Sequence, residues 1–131
     1  MNAWSGYAAV GLGSALGSGL RFVVSHGLLV LPAPFQPLAT LAVNTLGAWL
    51  IAAFVAYAAG RAHGRVAYWQ PFLVAGFCGG FTTFSLFGLE TLQLVLFAHP
   101  GWAAGHVLVS LALWLAAAWH GHEFGRRAAA A

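Results

Sequence analysis

Four long apolar stretches fill this chain, at about 5–31, 38–59, 67–97 and 102–124, with short interruptions of proline, glycine, histidine or arginine between them. A helix rises about 1.5 Å per residue and needs about 20 apolar residues to cross a bilayer. The pattern therefore predicts an all-α membrane protein of four transmembrane helices. Pro32, Pro34 and Pro37 mark the first connection, Gly60 to Arg65 the second, and His99-Pro100-Gly101 the third. The third stretch is the longest, as expected of a span that is tilted or broken near its middle. Residues 1–131 then form a single four-helix domain with no room for another.

The third stretch carries Gly79-Gly80-Phe81-Thr82-Thr83-Phe84-Ser85-Leu86-Phe87. Paired glycines followed by β-branched threonines have low helix propensity, so the backbone is expected to leave the helix around 79–83 and free carbonyl oxygens. At membrane depth those oxygens need protein, water or a bound ion as partner. Where the helix resumes, Phe84 and Phe87 share a face. The edge of an aromatic ring is weakly positive, so rings presented edge-on could receive a small anion without any formal charge. Two phenylalanines at helical spacing can equally be core or lipid-facing residues, and the glycine and threonine context is what favours the anion reading.

Polar residues inside the other spans add to the picture. Asn44, with Thr40 one turn earlier on the same face, sits inside the second stretch. An intramembrane amide faces a bundle interior or a cavity, where its NH₂ either holds helices together or donates to an anion. In the fourth stretch His106, Ser110 and Trp114 recur every four residues and form one stripe, a hydrogen-bonding track or a packing seam. Glu90, three residues after Phe87, is the one acid well inside a span, suited either to proton coupling or to a donor across the bundle. Arg21, late in the first stretch, is expected to snorkel toward the interface as an anchor.

Composition narrows the function. Only 5% of residues are charged and 61% are hydrophobic, which excludes an ordinary soluble domain. The basic charge consists of arginines near span ends, so there is no clustered basic face for nucleic acid. No Ser/His/Asp, Cys/His or phosphate-loop constellation with supporting context points to an enzyme. The lone Cys78 excludes an internal disulfide. The first stretch lacks a basic leader and exceeds a signal-peptide core, so it is expected to be retained. His120, His122 and Glu123 fall where interfacial residues collect, which accounts for them without a metal. Four short helices cannot enclose a polar route and also shield it from lipid, so a multimer is expected. Gly13-x-x-x-Gly17 and Gly76-x-x-x-Gly80 would allow close backbone approach within or between chains.

Taken in order along nearly the whole chain, Gly13-x-x-x-Gly17-x-x-x-Arg21, Thr40-Leu-Ala-Val-Asn44 before Gly47, and Gly79 to Phe87 followed by Glu90 resemble the Fluc (CrcB) fluoride channels. That resemblance implies an antiparallel, dual-topology dimer with two fluoride pores and one structural sodium ion. It implies that Phe84 and Phe87 line the pores by their ring edges with Asn44, and that the backbone carbonyls of Gly79 and Thr82 hold sodium. Thr83, Ser85 and Ser110 correspond to further polar positions of the pathway, and Thr40, His106 and Glu90 are grouped with it. The chain departs from the family pattern at Ala39, Leu86, Gly88, His106 and Trp114, the last standing where a serine would continue the fourth-span track.

The function expected on these grounds is passive, fluoride-selective export through a prokaryotic inner membrane, with fluoride, lipid and a second copy of the chain as partners and no organic cofactor. The alternative is a small proton-coupled exporter using Glu90 as its exchange site. A third class, an assembly subunit or haem anchor, would carry no ion flux. The second connection and the carboxyl tail place Arg61, Arg65, Arg126 and Arg127 on one membrane side, a bias against free insertion in both orientations. An oppositely oriented homologue is therefore an alternative partner to a second identical chain.

Overall fold

The computed structural model describes residues 3–28, 37–59, 61, 64–97 and 100–130, all helices and short turns. Pro32, Pro34, His99 and the expected end of the first span at 29–31 lie outside the described residues. Helix α1 (Ala3–Leu28) and α2 (Leu38–Ala58) are the first two spans. The third, Arg65–Leu96, is composite. It consists of α3 (Arg65–Gln70), a π-helical segment (Pro71–Cys78), the single turn α4 (Gly79–Phe81) and α5 (Phe84–Leu96). Pro71, which has no N–H to give the preceding turn, opens the π-helical segment.

The fourth span, α6 (Pro100–Ala130), is longer than the stretch expected at 102–124. The helix runs on through the terminal alanines to Ala130. Alanine has the highest helix propensity, and Arg126 and Arg127 favour the negative end of the helix. Arg61 Nη2 donates to the Ala129 carbonyl at 3.2 Å, tying this extension to the second connection.

The spans pair two by two. The first half of the third span lies along α1, and α2 lies along α6; beyond the break, α5 leans on α6 instead. Small residues make both seams. A Cβ on Gly13 or Gly17 would strike backbone of Phe72, Phe77 and Phe81, and one on Gly76 would come within 2.8 Å of the Val10 carbonyl. Gly80 meets the Ser14 backbone in the same way. Both glycine spacings singled out in the sequence thus serve one seam within the chain, where dispersion between backbones replaces side-chain interlocking. The second seam uses Gly121 and Gly125, which face backbone of Trp49 and Ala53.

Candidate functional site

The third span breaks at the threonines. Gly79 and Gly80 stay helical, whereas Thr82 (φ −85°, ψ 159°) and Thr83 (φ −154°, ψ 114°) are extended. This corrects the expected break at 79–83: β-branched residues accept the extended backbone, while Gly80 is spent on the approach to α1. Thr82 N–H and Oγ1 both donate to the Cys78 carbonyl, at 3.0 and 2.9 Å, and so finish the first half. Thr83 caps the second half, its Oγ1 accepting from Leu86 N–H at 3.2 Å and lying 3.3 Å from Ser85 Oγ.

Asn44 stitches the gap. Its Nδ2 donates to the Thr83 carbonyl at 2.9 Å, and its Oδ1 accepts the Thr83 N–H at 2.7 Å. One side chain thus satisfies both backbone groups of an extended residue at membrane depth, which is the requirement a break imposes. The amide keeps one further N–H.

The stitch determines which carbonyls lose their donors. In an unbroken helix Thr83 N–H would serve the Gly79 carbonyl and Leu86 N–H the Thr82 carbonyl; here Asn44 and the Thr83 hydroxyl take those donors. The intervening Gly80 carbonyl accepts from Arg21 Nε at 3.2 Å and Ser18 Oγ at 3.4 Å. Arg21 therefore turns inward to the break, a correction to its expected snorkelling; a broken helix offers a carbonyl that a guanidinium satisfies better than lipid headgroups at a distance.

Phe84 and Phe87 begin α5 with ring centroids 5.4 Å apart. Their surroundings differ: Phe84 is 74% exposed on this chain, and Phe87 is 7% exposed. Phe87 is bracketed by two residues of α6, His106 (centroids 5.1 Å) and Trp114 (4.9 Å, edge to face). Ser110 lies midway between them and is fully buried. Among the described residues, His106 Nε2, Ser110 Oγ and Trp114 Nε1 are buried without a hydrogen-bond partner.

Thr40 and Glu90 meet across the bundle, Thr40 Oγ1 donating to Glu90 Oε1 at 2.5 Å, and Glu90 Oε2 lies 3.7 Å from His106 Nε2. An apolar crevice of about 490 Å³ between the start of α2, Leu94 and the first half of α6 counts His106 among its lining residues. The expected site residues therefore form two neighbouring groups. Asn44, Thr83, Thr82 and Gly79 belong to the break; Phe87, His106, Ser110, Glu90 and Thr40 lie along the α5–α6 face. Phe84 and Ser85 look outward from the chain.

The sequence offered Glu90 a donor across the bundle without naming Thr40, and neither the Arg21 contact nor Ser18 was foreseen from it. A four-residue spacing, Ser14-x-x-x-Ser18 beside the glycines, was the available signal for the last. His120 accepts from Trp49 Nε1 at 2.8 Å, and Glu123 pairs with Arg126 at 3.3 Å.

The sequence matches known proteins along most of its length. Residues 8–122 match the family described as CrcB-like protein, Camphor Resistance (CrcB). The fluoride-specific ion channel FluC of Paramagnetospirillum magneticum is 44% identical over 122 residues, covering 88% of this chain and 91% of that protein. FluC of Coxiella burnetii is 38% identical over 116 residues, covering 88% and 94%. FluC of Pseudomonas aeruginosa is 40% identical over 104 residues, covering 79% and 80%. With four helices long and apolar enough to cross a membrane and relatives matched over most of their length, this chain belongs to the CrcB-like family of ion channels.

Proposed function

We propose that this protein is a passive fluoride channel that relieves a prokaryotic cell of cytoplasmic fluoride across its inner membrane. The observation that carries the reading is the placement of Phe84 and the buried Phe87 immediately after a membrane-depth break that Asn44 stitches. Ring edges and neutral donors suit a small anion, and a narrow apolar lining excludes larger halides that cannot make the same contacts. Thr40, Thr83, Ser85, Ser110, His106 and Glu90 would supply the polar positions along the way. The names of the relatives support fluoride as the ion.

The working unit of this proposal is a dimer, a reading supported by Phe84 and Ser85, which face away from the chain. The preferred form is an antiparallel homodimer with two pores; an oppositely oriented homologue is the alternative, given the one-sided arginines.

The Gly79 and Thr82 carbonyls, whose helical donors are diverted, fit the hard oxygen ligands that a sodium ion takes. Bound between two copies, such an ion supplies fixed positive charge at the centre of the assembly. Equilibrium removal of sodium is expected to slow fluoride flux or weaken the dimer; normal flux and a normal dimer without sodium would remove it from the proposal.

Reconstitution tests the function directly. Proteoliposomes with potassium and valinomycin holding the potential should release fluoride quickly and chloride hardly at all. Equal halide fluxes, or no fluoride release from folded protein, would defeat the channel reading. Release that requires a proton gradient would favour the Glu90 exporter.

A further inference from the structure

We propose that Trp114 is a specificity-determining residue of the conduction pathway, its indole N–H donating a hydrogen bond to the passing fluoride. The inference rests on the channel reading and deepens it. Three observations carry it. The indole nitrogen is buried and has no hydrogen-bond partner among the described residues. Trp114 stands edge to face against Phe87, the buried member of the phenylalanine pair, with centroids 4.9 Å apart and ring planes at 68°. Ser110, one helical turn away, and His106, two turns away and 3.7 Å from Glu90, present two further buried atoms without a hydrogen-bond partner among the described residues, along the same face of α6.

The chemistry of the indole decides its ligand. A hydroxyl can donate or accept and so suits water, a cation or an anion; an indole N–H only donates. It cannot ligate sodium and gains only from an acceptor. A buried donor left without one costs stability, and packing against Phe87 would be served equally well by a phenyl group that buries no N–H. A dehydrated fluoride is a small, concentrated negative charge and so a strong acceptor, and a bond from a neutral donor to an ion exceeds one between neutral groups. The ring also restricts the room around Phe87, which adds a size limit to the donor.

Two measurements test this on the dimer in detergent and in liposomes. In the first, ¹⁵N-indole NMR resolves the six tryptophans, and the Trp114→Phe spectrum assigns the Trp114 signal. That signal is expected to move with added sodium fluoride, saturably, and to stay still in sodium chloride of equal ionic strength. In the second, Trp114→Phe, which keeps the ring and removes the donor, should lower fluoride flux about tenfold, the size of one ion-directed hydrogen bond. Trp114→Ser, which returns a donor, should retain more flux than Trp114→Phe. The assignment is overturned if the Trp114 signal responds to both halides alike or to neither, or if Trp114→Phe conducts as wild type. A rise in flux for both variants would make Trp114 an obstruction and equally overturn it. The titration is read on the wild-type chain, and the Trp114→Ser spectrum supplies the assignment if Trp114→Phe misfolds, so one misfolded variant does not shield the proposal. If folded wild-type protein passes no fluoride, the channel reading and this inference fall together; if it conducts while the indole is indifferent, only the role of Trp114 fails.

Discussion

Replacing Asn44 with alanine removes both hydrogen bonds to Thr83, the 2.9 Å bond to its carbonyl and the 2.7 Å bond from its N–H. Each is worth about 1 kcal/mol net, with membrane interiors giving about 0.6 to 2 per bond. The pair therefore contributes about 2 kcal/mol to keeping the break closed against α2. By the rule of about 1.4 kcal/mol per tenfold, local opening at Thr83 should become about 30 times more frequent. Amide hydrogen exchange read by mass spectrometry on a peptide spanning the break measures that opening. The expected result is exchange about 30-fold faster in that peptide, with the seam around Gly121 unchanged and fluoride flux reduced. Asn44→Asp should do at least as much damage, because it keeps an acceptor for the Thr83 N–H but sets a second oxygen against the Thr83 carbonyl. Unaltered exchange in Asn44→Ala would refute the reasoning, since the break would then be held by something other than this amide.

Gly17→Ala should lower the thermal unfolding midpoint in detergent by the equivalent of about 1–3 kcal/mol, because its Cβ would meet Phe77 and Phe81 backbone, whereas Gly19→Ala meets nothing. Equal midpoints for the two would mean that α1 is not held by that seam. Phe87→Ile and Phe84→Ile keep apolar bulk and lose the ring edge; both should cut fluoride flux about tenfold or more with the dimer intact, and near-normal flux in both would remove the rings from the mechanism. A cysteine introduced near the carboxyl end, with Cys78 replaced, should label from both sides of the membrane if the chain inserts in both orientations. Labelling from the cytoplasm alone, with purified protein parallel or monomeric, would end the homodimer and point to a second, oppositely oriented chain.

The four spans were legible because an apolar run of membrane length has few other readings. Asn44 and Thr40 were legible as residues, since polar groups in such runs have to face something. Their partners were not: Thr83 and Glu90 lie 39 and 50 residues away, and no local pattern encodes that registry. The break was displaced for a related reason. Local propensity assigns Gly79 and Gly80 to irregular backbone, but whether a glycine bends a helix or admits a neighbour depends on what stands beside it, and Ser14 of α1 stands beside Gly80. Arg21 followed the same logic: its sequence position suggested the interface, and its hydrogen bond depends on a carbonyl that only the folded break exposes.

The pairing of helices also bears on biosynthesis. A ribosome makes α2 early and α6 last, yet these two share a glycine seam. During the interval α2 has to wait in the membrane without its main neighbour. Asn44 and Thr40 do not share that wait, because they find Thr83 and Glu90 on the third span, which is made before α6. The Asn44 amide and the Thr40 hydroxyl are therefore sheltered one helix sooner than the Trp49 indole, whose acceptor His120 arrives only with α6.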